Sequence, residues 1–147
     1  MGKEQLEELK KHGRYFSVPS GVSMWPMIEK HRKGILEIRE LKEPARRYDV
    51  VMYTRPNQQG VIHRVLRVRD DDYIIAGDNC WRREYVPKDQ VRGIAVSFYR
   101  KGKWIGTDNR WYRCYARLWT DLFFIRRPIL RLRDRGQRLL RKLHDEK

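Results

Sequence analysis

From about residue 33 to residue 100 the apolar residues come in short runs broken by turn formers. That punctuation restricts the chain to a fold built mainly from β-strands. The runs are Gly34-Ile35-Leu36-Glu37-Ile38-Arg39, Tyr48-Asp49-Val50-Val51-Met52-Tyr53, Val61 to Arg69, Tyr73-Ile74-Ile75-Ala76 and Val91 to Tyr99. Between them lie Pro56-Asn57-Gln58-Gln59-Gly60, Asp70-Asp71-Asp72 and Gly77-Asp78-Asn79, whose side chains bond local backbone or tolerate turn geometry. Lys101-Gly102-Lys103 reads as a hairpin tip. Short strands with frequent turns predict a mainly β fold, a small antiparallel sheet or barrel-like core. Upstream, Leu6 and Leu9, three apart among Lys and Glu, predict a short N-terminal helix closing near Gly13, with a short strand over 14–19.

After Asn109 the pattern changes. Trp111, Tyr112, Tyr115, Leu118, Trp119 and Leu122 recur at helical spacing, and Pro128 is expected to interrupt that helix. Beyond it, residues 129–143 alternate Leu with Arg as a basic amphipathic helix does. The chain therefore divides into a β domain over 1–109 and a basic, aromatic helical tail over 110–147. From Arg110 onward twelve Lys/Arg stand against four Asp/Glu. The tail has three readings: its aromatic face packs on the β domain, it contacts an anionic membrane peripherally through 111–143, or it binds nucleic acid. The last ranks lowest, because no helix-turn-helix or zinc-finger pattern accompanies the charge.

Composition removes some classes. The formal charge is +15, which favours anionic partners without specifying a fold. No run of eighteen apolar residues suits a membrane span, and the charged first residues do not read as a secretory signal. Cys80 and Cys114 lack metal-ligand spacing and are expected as reduced thiols, so no metal or cofactor is expected. The expected location is the cytoplasm, with peripheral contact at the inner face of the membrane.

Chemistry concentrates at three points. Ser23 lies in Ser20-Gly21-Val22-Ser23-Met24-Trp25-Pro26, where Gly21 permits a bend and Pro26 stiffens the chain beyond it. Such a turn can present a hydroxyl beside free backbone N–H groups, although most serines next to glycine are turn residues only. His63 sits in the strand Val61-Ile62-His63-Arg64-Val65, sharing a face with the two valines, which shelter it. A carboxylate to orient that imidazole is supplied either by Asp78, in Gly77-Asp78-Asn79, or by Glu84.

Taken in order, the Ser23 turn, Tyr48-Asp49-Val50-Val51, Ile62-His63-Arg64-Val65 and Gly77-Asp78-Asn79 resemble the type I signal peptidase family and the related self-cleaving, repressor-type serine peptidases. The resemblance spans roughly residues 17–97. It implies a catalytic β domain without metal and, with His63 at the base position, the Ser–His subtype of the endoplasmic-reticulum and archaeal enzymes. Ser23 would then attack the carbonyl of a peptide or protein substrate and His63 would take its proton, with Asp78 or Glu84 as third member. Two alternatives accompany this expectation. One is a self-cleaving repressor-type peptidase. The other is a non-catalytic, basic membrane- or nucleic-acid-associated module that keeps the fold.

Overall fold

The computed structural model describes residues 3–29, 33–57 and 59–145. Helix α1 (Lys3–His12) ends where Gly13, at φ 66°, donates its N–H to the Leu9 carbonyl at 2.8 Å. That left-handed cap is available to glycine without steric cost. Eight strands follow: β1 (Arg14–Ser17), β2 (Ile35–Glu40), β3 (Val50–Thr54), β4 (Gly60–Val68), β5 (Asp72–Ala76), β6 (Glu84–Pro87), β7 (Val91–Arg100) and β8 (Lys103–Gly106). All pairings are antiparallel, in the order β1-β2-β7-β3-β4-β5-β6, and β8 pairs with the far half of β7.

The sheet is open, which corrects the barrel-like core expected from the sequence. Strands β1 and β6 end the path without pairing with each other, and each is only four residues long. Turn punctuation sets how many strands a chain makes. Closure depends on strand tilt and stagger, which that punctuation does not encode. The central strands are instead buried on both faces. Along β3, Val50 and Met52 join one cluster with Leu36, Ile38 and Phe98, while Val51 and Tyr53 join a second with Val65, Tyr73 and Ile75. Period-2 alternation thus feeds two cores on opposite sides of one sheet.

Two helices follow the last strand. The Asn109 side chain accepts the N–H groups of Trp111 and Tyr112 and so caps α2 (Arg110–Asp121), whose Tyr112 and Ala116 enter the first core. Helix α3 (Phe123–Asp145) begins after a break at Leu122, six residues before the expected interruption at Pro128. Pro128 lies in the second turn of α3, so its missing N–H leaves only the Phe124 carbonyl without an intrahelical donor. No helix among the described residues is long and apolar enough to cross a membrane.

Candidate functional site

The turn around Ser23 is held from below. Met24, Met27 and Ile28 are buried in the first core, while Val22 and Trp25 stay exposed and Ser23 is half-buried between them. These apolar anchors, all just beyond Ser23, hold the turn without using the serine side chain. The backbone of the turn is tied to the loop after β5. The Asn79 N–H donates to the Ser23 carbonyl at 2.7 Å, and the Asn79 side-chain amide donates to the Val22 carbonyl at 3.2 Å.

His63 approaches the same loop from β4. A Cβ at Gly77 would stand 2.6 Å from the Ser23 carbonyl oxygen, 2.9 Å from Cys80 Sγ and 3.1 Å from the Cδ2 atom of the His63 ring. Glycine is thus the residue that lets the serine turn and the imidazole edge converge. No direct hydrogen bond joins Ser23 Oγ to His63 among the described residues.

The other edge of the ring is occupied. His63 is 5% exposed, and its Nδ1 lies 3.3 Å from Glu84 Oε1 and 3.2 Å from the Tyr53 hydroxyl. Glu84 in turn receives a two-pronged grip from Arg55, with Nε to Oε2 at 2.8 Å and Nη2 to Oε1 at 2.5 Å. Burial alone would raise the Glu84 carboxyl pKa. Hydrogen bonds from His63, Arg55 and Tyr53 outweigh it and hold the group well below the usual carboxylate range. An ionised carboxylate only accepts, so its contact favours the ring form with a proton on Nδ1. In the neutral ring of that tautomer the lone pair is on Nε2, beside the Cδ2 that borders Gly77. The same contacts hold the Tyr53 phenol protonated, since burial and the Glu84 charge both push its pKa up.

Glu84 also sets an expectation for pH. Its pKa in the folded chain is below the unfolded value, so its contribution is fully present above about pH 4 and is lost as pH falls toward the folded value. The difference in urea midpoint between the wild type and Glu84→Gln should therefore be widest near neutrality and narrow in acid. A difference that grows on acidification would contradict the assignment.

Asp78 occupies a different place. His63 and Arg64 are successive residues of β4 and so point to opposite faces. Asp78 sits on the Arg64 side, where the two form a doubly bonded pair at 2.8 and 2.7 Å with 0% and 1% side-chain exposure. The Tyr115 hydroxyl donates to the same carboxylate at 2.8 Å. Trp119 Nε1 and the Arg126 guanidinium donate to the Asp78 carbonyl. Of the four residues singled out from sequence, the Ser23 backbone carbonyl and the His63 ring both border Gly77, Glu84 meets the other edge of that ring, and Asp78 is committed to a structural hub under α2 and α3.

No family model, curated protein or solved structure matches this chain.

Sequence reasoning missed three participants. Arg64 did carry a signal, a guanidinium inside an apolar strand, which demands a buried acidic partner. Tyr53 carried a weaker one, since it shares a strand face with Val51, the register partner of His63. Arg55 gave none, because only the pairing of β5 with β6 brings Glu84 within its reach. Both cysteines are free, and no cluster of three His, Cys, Asp or Glu suited to a metal occurs among the described residues. His12 and His144 are exposed, and His31 lies outside the described residues.

Proposed function

We propose that this chain is a serine peptidase in which Ser23 is the nucleophile, His63 the general base and Glu84 the residue that orients His63. One observation carries the reading: the imidazole is held at Nδ1 by a carboxylate kept ionised, while its opposite edge faces Gly77, which the Ser23 backbone also borders. This is the division of labour a hydroxyl nucleophile needs, with a base of fixed tautomer whose free nitrogen is turned toward the reacting side. The resemblance of the Ser23, His63 and Gly77 segments to type I signal peptidases and their repressor-type relatives points the same way.

In the reaction, Ser23 Oγ bonds to the carbonyl carbon of the scissile peptide as its proton passes to His63 Nε2. The carbonyl oxygen takes the negative charge and is met by the Ser23 backbone N–H. Collapse of this intermediate breaks the C–N bond, and His63 returns the proton to the departing amine. Water, deprotonated by the same nitrogen, then hydrolyses the acyl ester. The hydrogen bond from Ser23 Oγ to His63 that this step requires would form as substrate binds, since catalytic hydrogen bonds are often made or tightened only in the complex.

Incubation with a fluorophosphonate probe, followed by peptide mass spectrometry, tests the reading. The modified residue should be Ser23. Failure of the folded protein to label, or labelling that persists in Ser23→Ala, would remove the proposal.

A further inference from the structure

Helix α3 has an inward face with assigned contacts and an outward face with none. Inward, Phe123 packs with Leu66 and Ala76, and Arg126 and Leu130 are buried. Arg133 Nη1 donates to Asn79 Oδ1 at 2.6 Å, and Asp134 accepts from Trp81 Nε1 at 3.1 Å. Outward, Ile125, Ile129, Leu132, Leu139 and Leu140 are 48%, 63%, 71%, 63% and 69% exposed. Positions 125, 129, 132, 136 and 139 are spaced alternately four and three apart, so they form one continuous stripe, with Gly136 in its middle. Arg131, Arg135, Arg138 and Lys142, all exposed, form a second row at the same spacing along one flank of that stripe, where Arg131 also lies over the Trp81 ring at 5.5 Å.

An apolar stripe beside a cationic row makes two demands on whatever covers it. Nucleic acid would satisfy the arginines but leave the leucine stripe in water. A second copy of α3 would cover the stripe but bring a like-charged helix, since the segment holds eight Lys/Arg against two Asp. An anionic bilayer surface satisfies both, with acyl chains under the stripe and lipid phosphates against the arginine row. At about 1.5 Å per residue a helix of this length lies along the surface over several lipid headgroups. The polar inward face, already bonded to the protein, excludes a spanning orientation for this helix.

We propose that α3 is an interfacial helix that seats the protein on anionic membrane surfaces through Ile125, Ile129, Leu132 and Leu139, with Arg131, Arg135 and Arg138 against the headgroups. Most of α2 is excluded from this role, because Tyr112 and Ala116 are already in the core. The inward face of the same helix holds Asn79, which holds the Ser23 carbonyl. Resting on the peptidase reading, this places the serine turn near the membrane, where it would meet peptides lying at or emerging from the bilayer surface.

The test is co-sedimentation with vesicles of phosphatidylcholine alone and of an equal mixture of phosphatidylcholine and phosphatidylglycerol. The wild type should pellet with the mixed vesicles and not with the neutral ones, and added salt should release it. Arg131→Gln, Arg135→Gln and Arg138→Gln together should weaken binding on the order of a hundred-fold. Leu132→Asp should lose at least ten-fold, and because Leu132 is largely exposed the fold should be unaffected, as circular dichroism would show. Equal failure to pellet with both vesicles overturns the proposal. So does unchanged binding by Leu132→Asp, or a vesicle-free dimer in sedimentation velocity that Leu132→Asp dissolves. An oligonucleotide bound equally by wild type and Leu132→Asp, in place of vesicle binding, assigns the arginines to nucleic acid instead. Ser23→Ala should bind vesicles like the wild type, so failure of the peptidase reading and failure of membrane docking are read separately.

Discussion

Asp78→Ala should lower the folding stability by about 3–5 kcal/mol, because it leaves the Arg64 guanidinium buried without a counter-charge. Against a total of about 5–15 kcal/mol for a domain of this kind, that loss is enough to shift much of the population to unfolded chain at moderate temperature. The Tyr115 hydroxyl loses its acceptor in the same substitution, while the bonds to the Asp78 carbonyl survive, since they involve backbone. The cost lies in the unpaired charge, so removing both partners should be cheaper than removing one. Arg64→Met combined with Asp78→Leu and Tyr115→Phe is expected to recover most of the loss. Urea denaturation of the single and triple variants decides the point. A single variant with an unchanged midpoint would mean that Asp78 is not the hub joining β5 to the C-terminal helices.

His63→Gln should slow fluorophosphonate phosphonylation of Ser23 on the order of 10⁴-fold, the upper range for loss of a general base. Glutamine keeps a polar group of similar reach beside Glu84 but cannot accept and later return the serine proton. Glu84→Gln should approach the same loss. An amide N–H turned toward Nδ1 favours the tautomer with its proton on Nε2, and that tautomer cannot act as the base. At neutral pH Glu84→Gln should lose part of its urea midpoint, but less than Asp78→Ala, and His63→Gln should stay nearer the wild type, so loss of Glu84 falls mainly on rate and loss of Asp78 mainly on stability. Labelling of His63→Gln at the wild-type rate would show that Ser23, if reactive, uses another base.

Much of the strand content was legible because β2, β3, β4, β5 and β7 carry apolar runs bounded by turn formers. Strand β6 was not, and β8 was signalled only by the hairpin tip at Lys101-Gly102-Lys103. Glu84-Tyr85-Val86-Pro87 has a charge, an exposed tyrosine and a proline within four residues, and it is extended because Tyr73 and Ile75 offer it a paired edge. Lys103–Gly106 is held in the same way by the far half of β7. Strand formation in such segments depends on a neighbour, and a single sequence does not announce the neighbour. The sequence left Asp78 and Glu84 open as alternatives for a related reason. Alternation places His63 and Arg64 on opposite faces, but which face the loop 77–83 turns its carboxylates toward follows from tertiary packing. Arg64 could have tipped the balance. A buried guanidinium needs a buried acid, and Asp78, in the tighter turn, was the better placed to supply it.

The tie from Arg133 to Asn79 to the Ser23 carbonyl joins three stretches that are far apart along the chain. A polypeptide emerging residue by residue presents Ser23 long before Asn79 exists, and Asn79 well before Arg133. No portion of the chain that stops short of Arg133 contains the clamp whole. The serine turn is therefore fully clamped only once the first half of α3 has been synthesised and has folded back, so the timing of any reactivity at Ser23 is coupled to the docking of that helix.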